Sequence, residues 1–240
     1  MGDWMNTENL SDRLKTVVQY IPAGSRLADI GSDHAYLPCH AVQQGIVSFA
    51  VAGEVAEGPY RSAKKQVEEE GFSENIIVRK GDGLEVISPG EVDCITIAGM
   101  GGTLIASILE KGKEKLPGIK RLILQPNIGA ISIRKWLIDN GWKLIGEEIL
   151  EEDGKIYEIL AAEQGDPLSG YGEPPEAGLL LGPILMERQN DAFRKKWLAE
   201  KENWERILIQ LEKADDNSEA AEKKQELLRK IKIVEEALKQ

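Results

Sequence analysis

The sequence predicts an α/β fold: a mostly parallel, Rossmann-like sheet with an antiparallel hairpin at one edge, followed by a coiled-coil-like helical hairpin. Strand-like apolar runs alternate with segments of helical periodicity, which is typical of a parallel sheet. Two β-rich runs then surround an acidic turn at Glu151–Gly154, as in an edge hairpin. Beyond a stretch rich in Gly and Pro, apolar residues recur at the spacing of paired helices.

Each predicted element ends where turn residues interrupt an apolar pattern. A first helix is expected to stop near Tyr20, because Pro22 and Gly24 follow it. The run 92–102 is almost wholly apolar, as expected for a strand buried on both faces. The predicted strands are Arg26–Ile30, Ser48–Val55, the first part of 75–84, 92–102 and 121–127, and the helices between them are Leu37–Gly45, Gly58–Gly71, Thr103–Glu110 and one that runs through Trp136 to Asn140.

Composition divides the chain into three regions. A sheet domain is predicted over residues 1–165, and a Gly- and Pro-rich linker and docking segment over residues 166–186. Residues 187–240 are predicted to form a helical hairpin with a turn at Ala214–Glu219. Its two apolar stripes comprise Phe193, Trp197, Trp204, Ile207, Leu208 and Leu211, and Leu227, Ile231, Val234 and Leu238.

The 240 residues carry a formal net charge of −11. This balance argues against indiscriminate nucleic-acid binding, which leaves a basic footprint. The charge is uneven, because residues 187–240 contain 13 Lys/Arg and 13 Asp/Glu while residues 1–186 contain 17 and 28. Any RNA site is therefore expected to be a local patch.

Nothing in the sequence predicts secretion, a membrane span or a metal site. The longest apolar stretch, Gly178–Met186, is short and interrupted by glycine and proline, so we expect a buried connection. Cys39 and Cys94 are too few for a disulfide scaffold, and a cytoplasmic location is expected. His34, Cys39 and His40 match no zinc-binding pattern, so no metal is expected.

The stretch Leu27–Pro38 carries the strongest functional signal. A hydrophobic strand ends in Asp29, passes through Gly31 and opens into a helix, as where an open α/β sheet binds a ligand. The later glycines of a dinucleotide turn, G-x-G-x-x-G, are replaced here by Asp33 and Tyr36. The Asp33 carboxylate would repel a pyrophosphate but attract the sulfonium and ammonium groups of S-adenosylmethionine (SAM). The turn therefore favours SAM as the cofactor.

Acidic or glycine-rich turns follow four successive predicted strands, and their conjunction strengthens the SAM hypothesis. Each acid alone is better explained as a turn former or helix cap. We expect the first turn to surround the methionine part of SAM, Glu54 to accept hydrogen bonds from the ribose, and Asp82 and Gly83 to contact the adenine. The predicted cofactor-binding residues are Asp29, Gly31, Ser32, Asp33, Glu54, Val55, Asp82, Gly83, Ala98, Gly99, Met100 and Gly101.

The turn Ala98–Gly102 also bears on the methyl acceptor. Enzymes that methylate exocyclic amines of bases commonly carry an Asp/Asn-Pro-Pro-aromatic turn at this point, whereas this chain has AGMGG. An endocyclic nitrogen such as adenine N1 needs no such partner, because its lone pair is already available. Nearby carboxylates would stabilise the cationic product. Catalysis would then consist mostly of aligning acceptor and methyl group in a desolvated pocket.

Several further side chains are candidate contacts, each with an ordinary structural alternative. Asp33 and His34 are assigned a weak catalytic role that is mainly positioning. Tyr36 could stack on an extruded base or simply pack at a helix start. The tail cations could track phosphates, form a solvated helix face, or belong to a surface for dimerisation or protein docking. The predicted substrate-binding residues are Tyr36, Gly102, Gln125, Asn127, Arg194, Lys195 and Lys196.

Six motifs occur in order along the chain: ADIGSDHAYLPC, AGEV, GDGLEVI, ITIAGMGG, RLILQPNI and EEDGKIYEIL. With them the chain closely resembles the bacterial TrmK-type tRNA adenine-N1 methyltransferases over nearly its whole length. The resemblance implies a class I SAM-dependent methyltransferase that acts on adenine-22 in the D-arm of tRNA, with a tail that helps to hold the tRNA. It also implies a SAM pocket that involves Gly31, Asp33, Glu54, Asp82, Gly83 and the turn Gly99–Gly102.

Two other functions remain open from the sequence. The same fold methylates other RNAs or proteins, since fold does not determine substrate. A SAM-binding protein without enzymatic activity, whose tail docks a partner, is the other alternative. Labelled SAM distinguishes them by the acceptor that gains a methyl group. The oligomeric state is open, and a monomer is favoured.

Overall fold

The computed structural model describes residue 7, residues 9–211 and residues 218–239. None of the helices in these ranges is long and apolar enough to cross a membrane. The strands are β1 Ser25–Ile30, β2 Val47–Glu54, β3 Ile76–Lys80, β4 Cys94–Gly101, β5 Arg121–Ile128, β6 Trp142–Glu152 and β7 Lys155–Gln164. The α-helices are α1 Asp12–Gln19, α2 Tyr36–Gln43, α3 Glu57–Glu69, α4 Gly102–Lys111, α5 Ala130–Asp139, α6 Glu176–Leu181, α7 Pro183–Arg188, α8 Asp191–Leu211 and α9 Ser218–Leu238.

The strands form one sheet in the order β3-β2-β1-β4-β5-β7-β6. The five strands from β3 to β5 pair in parallel, and the β6–β7 hairpin adds to β5 in the antiparallel direction. This confirms the predicted mostly parallel sheet with an antiparallel edge hairpin. Because β1, β2, β4 and β5 run in the same direction, their carboxyl ends meet at one edge of the sheet.

Apolar cores cover both faces of the sheet. On one face, Ile105 of α4 and Ile133 of α5 pack in a core with Ile95 of the central strand β4. The other face is covered by α1, α2 and α3, through buried residues such as Val17 and Leu37. Both faces of β4 are therefore removed from water, which explains its nearly continuous apolar sequence.

The segment Gly178–Met186, expected to be a buried connection, forms parts of two short helices. α6 ends at Leu181 and α7 begins at Pro183. Gly182 separates the two helices and has φ of +94°. A Cβ atom at this residue would lie 2.6 Å from Nη2 of Arg134 and 2.9 Å from the carboxylate of Glu147. The helix break is therefore packed directly against a buried ion pair, and only glycine fits both the space and the backbone angle.

A buried ionic network joins the sheet to the tail. The guanidinium of Arg134 on α5 donates to Glu147 of β6 at 2.7 Å and to Glu158 of β7 at 2.5 Å. Lys196 of α8 donates to Glu158, and the backbone N–H of Ile184 donates to Glu147 at 2.9 Å. Burial raises the pKa of Glu158, but the positive charges of Arg134 and Lys196 outweigh it and hold that pKa below its usual value. Two cations thus neutralise two anions in the interior.

The tail is a helical hairpin, as predicted. On α8, Phe193, Trp197 and Trp204 are buried, and the rings of Phe193 and Trp197 meet edge to face at 6.3 Å. On α9, Leu227 and Val234 are buried in the same apolar cluster. Most of the turn expected at residues 214–219 lies outside the described residues.

We expect Arg134→Ala to lower the free energy of unfolding by about 3–5 kcal/mol, because it leaves two buried carboxylates without their main cation. Urea unfolding monitored by circular dichroism measures this loss. Arg188→Ala is the matched control, since Arg188 forms an ion pair with Glu148 but keeps 59% of its side chain exposed. It should change stability little. Equal losses in the two variants would contradict the stabilising role of the network.

Candidate active site

A cavity of about 300 Å³ lies at the carboxyl edge of the parallel strands. Residues from the carboxyl ends of β1, β4 and β5 and from the turn after β1 line it, together with residues from α1, α2 and β7. The lining residues are Arg13, Leu14, Asp29, Gly31, Ser32, Asp33, Tyr36, Leu37, Ala98, Gly99, Asn127 and Tyr157. Eight of the predicted contacts are thus brought to one cavity: Asp29, Gly31, Ser32, Asp33, Ala98 and Gly99 for the cofactor, and Tyr36 and Asn127 for the substrate.

The turn after β1 is built around the buried carboxylate of Asp29. It accepts hydrogen bonds from the hydroxyl groups of Ser32 at 2.5 Å and Thr96 at 2.6 Å. Burial raises the pKa of Asp29, although these two hydrogen bonds oppose the rise. Gly31 has φ of +72°, and a Cβ there would lie 2.2 Å from Cε of Met100. The turn after β1 and the carboxyl end of β4 are therefore closely packed at this glycine.

Glu54 ends β2 beside the same turn. Its carboxylate is 6% exposed and accepts a hydrogen bond from the backbone N–H of Asp33. Burial raises the pKa of Glu54 to about 7, and the negative charges of Asp29 and Asp33 add to the rise. Asp33 itself has φ of +56°, and its side chain is 68% exposed. Three carboxylates thus share one side of the site.

The glycine-rich carboxyl end of β4, predicted as a turn at Ala98–Gly102, is held by amide side chains from β5. The backbone N–H of Gly99 donates to Gln125 Oε1 at 2.9 Å, and Asn127 Nδ2 donates to the Gly99 carbonyl at 2.7 Å. Gln125 is fully buried and also accepts from Arg13 Nη1. Gln125 was expected to contact the substrate. In the structure it is inaccessible to a ligand and instead supports the backbone of Gly99. Asn127 is exposed and lines the cavity.

Gly102 also differs from its expected role. It begins α4 and is buried, and a Cβ there would lie 2.1 Å from the carbonyl oxygen of Gly129. Its lack of a side chain is explained by close contact between two backbones rather than by room for a base. Gly101, one residue earlier, has open space at its Cβ position.

Arg13 and Tyr157 line the cavity but were not predicted from the sequence. The Arg13 guanidinium lies 5.2 Å from the centre of the Tyr157 ring. Glu152 fixes the start of α1, accepting from the backbone N–H of Asp12 at 2.5 Å. Neither residue follows one of the parallel strands, so the pattern of strand-end turns could not identify them. Of the lining residues that the structure describes, Arg13 is the sole cation.

His34 and Tyr36 form a stacked pair at the mouth of the first turn. Their ring centroids lie 5.2 Å apart with an interplanar angle of 18°. His34 Nε2 lies 3.8 Å from the Asp33 carboxylate. Ala35, the residue between His34 and Tyr36 in the sequence, has φ of +56°. Tyr36 lines the cavity, whereas His34 lies beside it.

The remaining predicted cofactor contacts lie outside the cavity lining. Asp82 is exposed and caps the 3-10 turn Gly83–Val86, where its backbone N–H donates to Glu85 at 3.2 Å. Val55 follows β2 and is 64% exposed. Both positions follow strands of the same parallel set, so they share the sheet edge with the cavity.

The tail lysines have acidic partners on the edge hairpin. Lys195 pairs with Glu151 at 2.5 Å, and Lys196 belongs to the buried network through Glu158. Lys196 also lies 4.8 Å from the centre of the Trp197 ring. The prediction that Lys196 contacts substrate therefore conflicts with its structural use. Arg194 is exposed on the same helix.

In the part of the chain that the structure describes, no group of three or more His, Cys, Asp and Glu residues is arranged to hold a metal ion. Cys39 and Cys94 are buried free thiols, and burial raises the pKa of each to about 12.

Comparison with known proteins identifies a family. The family described as TrmK, tRNA (adenine(22)-N(1))-methyltransferase, matches residues 27–236. A tRNA (adenine(22)-N(1))-methyltransferase of Bacillus subtilis (strain 168) is 53% identical over 235 residues, which cover 98% of this chain and 99% of that protein. The crystal structure of the B. subtilis M1A22 tRNA methyltransferase TrmK superposes with a TM-score of 0.93 at 53% identity, covering 95% of this chain and 98% of that one.

Two further solved structures contain the cofactor or its product. A Streptococcus pneumoniae protein proposed to be a tRNA (m1A22) methyltransferase, in complex with S-adenosyl-L-methionine, gives a TM-score of 0.85 at 42% identity and covers 96% of this chain and 100% of that one. M. capricolum TrmK in complex with S-adenosyl-homocysteine gives 0.79 at 27% identity, covering 95% and 96%.

We expect Gly102→Ala to lower the free energy of unfolding by about 1–3 kcal/mol, because the new methyl group overlaps the Gly129 carbonyl and overpacks the contact. Gly101→Ala is the matched control, since its Cβ would meet no atom within 4 Å. Urea midpoints of the two variants measure the difference. If both variants unfold at the wild-type midpoint, the contact between the two turns is not tight in solution.

Proposed function

The chain belongs to the TrmK family of tRNA (adenine(22)-N(1))-methyltransferases, and we propose that it transfers a methyl group from SAM to N1 of adenine-22 in tRNA. The product is 1-methyladenosine. The observation that carries this proposal is the cavity at the strand ends, which combines carboxylates, one cation and glycine turns. These groups match the charges of SAM, and two relatives of similar structure contain SAM or its product.

The residues present fit SAM in charge and shape. Asp29 and Asp33 supply negative charge for its sulfonium and ammonium groups, and Arg13 supplies positive charge for its α-carboxylate. Glu54, at the end of the second strand, accepts hydrogen bonds from the ribose hydroxyls. The positive φ of Gly31 and Gly99 lets backbone approach the ligand closely. Ser32, Val55, Asp82, Gly83, Ala98, Met100 and Gly101 complete the proposed contacts.

The acceptor end of the cavity is formed by Asn127, Tyr36 and the Gly99 turn. Bound SAM supplies an electrophilic methyl group, and its transfer moves positive charge from sulfur to the adenine ring. The N1 lone pair is already available, so the reaction needs no general base. The role of the residues here is to exclude water and to align the base with the methyl group. The Asp33 carboxylate stabilises the cationic product electrostatically. His34 acts on Tyr36 and Asp33 as a positioning residue, and Gln125 positions the Gly99 turn.

We assign the three regions different tasks in this reaction. Residues 1–165 hold SAM and the acceptor base, residues 166–186 dock the tail, and residues 187–240 contact the D-arm region of tRNA. In the tail, exposed Arg194 and Lys195 are the better candidates for phosphate contacts, since Lys196 is committed to Glu158. The protein acts as a monomer in the cytoplasm, where tRNA is available.

Incubation with labelled SAM and unmodified tRNA should give 1-methyladenosine on nuclease digestion. Replacing adenine-22 by guanosine should abolish incorporation, because the guanine N1 carries a proton and has no free lone pair. Incorporation that survives this replacement would contradict the proposed acceptor. SAM binding by calorimetry without incorporation into any tRNA would instead favour a binding protein.

SAM affinity should rise as the pH rises from 6 to 8. The raised pKa of Glu54, about 7, means that the carboxylate is mostly protonated at pH 6 and mostly ionised at pH 8. Since SAM favours the ionised form, Kd should fall by up to about tenfold over this range, as a single titrating group allows. The folding stability of the free protein should depend on pH in the opposite direction. Because the pKa of Glu54 is raised in the folded state, its contribution to folding stability declines as pH rises through 7.

The control variant Glu54→Gln keeps the shape and removes the titration, so its Kd should lose this pH dependence. An unchanged pH profile in Glu54→Gln would remove Glu54 from the ribose site.

The same calorimetry tests Arg13. Arg13→Gln should weaken SAM binding at every pH, because it removes the positive charge proposed to face the α-carboxylate of SAM. Unchanged affinity would exclude this contact.

A further inference from the structure

We propose that Ile128 is an apolar wedge that enters the space left in the tRNA base stack when adenine-22 swings into the cavity. The inference rests on the proposed function and adds a residue that opens the substrate. Among the large apolar side chains that the described residues expose, Ile128 is the most exposed, at 77%. Single exposed apolar residues are common on protein surfaces, so its location must carry the argument.

Ile128 lies at the rim of the acceptor end of the cavity. It directly follows Asn127, which lines the cavity, and it ends β5 opposite Gly101 of β4. The Cβ position of Gly101 has no atom within 4 Å, so the space beside this strand partner of Ile128 is open. Ile128 is therefore an exposed apolar residue at the carboxyl end of β5, next to a residue that lines the cavity and paired with a glycine.

The backbone that carries Ile128 is fixed. Asn127 is tied to the Gly99 carbonyl at 2.7 Å, and the Gly129 carbonyl accepts from the Ser132 backbone N–H at 3.0 Å. Gly129, with φ of +75°, packs against Gly102. A wedge needs this rigidity, because a mobile side chain would lose conformational entropy on insertion.

The chemistry of the acceptor requires such a device. Adenine N1 lies on the Watson–Crick edge, which a base paired or stacked in a helix does not present to an enzyme. The base must therefore leave the stack and lose its stacking and pairing contacts. Proteins that unstack bases insert Ile, Leu, Phe, Met or Pro between the steps. Leu104, 54% exposed in the first turn of α4, extends the apolar rim along the same edge.

The test compares two tRNA substrates with the full-length protein. One is unmodified tRNA, and the other carries an abasic residue opposite adenine-22, which frees the base in advance. We expect Ile128→Ala to lower kcat/KM on the unmodified tRNA by about tenfold or more, in keeping with the loss of a wedge. The abasic substrate should restore most of this loss, and Ile128→Met should retain most activity on both.

Leu168→Ala is the matched control, because Leu168 is 52% exposed after β7, whose end lies at the opposite edge of the sheet. Its kcat/KM should match the wild type on both substrates. SAM affinity of all variants, measured by calorimetry, should be unchanged, since Ile128 does not line the cavity.

Fluorescence of 2-aminopurine at position 22 gives an independent readout. Binding of wild-type protein should raise the emission as the base unstacks, and Ile128→Ala should reduce this rise at saturating protein. An Ile128→Ala variant that keeps full kcat/KM on unmodified tRNA, or loses equally on both substrates, would overturn the wedge. Wild-type protein that methylates neither tRNA would overturn the proposed function and the wedge together.

Discussion

Parallel pairing of β1 with β2 and β4 is the constraint on which the site depends. The register aligns Asp29 with Ala52 and Thr96, so the carboxyl ends of the three strands lie at the same edge of the sheet. Thr96, which is buried in β4, can then donate to the Asp29 carboxylate across the strands. The residues that follow each strand therefore reach the cavity within a few positions. The turn after β1 also packs against Met100 at the end of β4.

The same packing places negative charge where water is scarce. Asp29 and Glu54 are nearly inaccessible, and burial raises the pKa of both. A cationic ligand would offset this cost, because its charge interacts strongly with carboxylates in a medium of low dielectric constant. If SAM binds here as proposed, its positive charge would recover the stability that burial of these carboxylates costs the free protein.

Local patterns predicted what the strands themselves encode. The strand expected at Arg26–Ile30 differs from the structure only in beginning one residue earlier, at Ser25. It could be predicted closely because apolar residues and the flanking turn residues mark its ends. Arg13 and Tyr157 could not be predicted, since they reach the cavity only through the packing of α1 and the edge hairpin. The sequence predicted that Lys196 contacts RNA, whereas in the structure it pairs with Glu158. The sequence of an amphipathic helix does not show whether a lysine faces solvent or a buried carboxylate.

The charge pairs of the tail also limit how an acidic protein can hold RNA. Among the described residues, Lys195, Lys201 and Lys230 each have a glutamate within 2.6 Å, so a phosphate must compete with that partner for each cation. The electrostatic gain per contact is therefore smaller than for an unpaired lysine. If the tail contacts tRNA as proposed, recognition then draws more on shape and on apolar contacts near the cavity. The exposed side chain of Ile128 at the end of β5 would supply one such apolar contact.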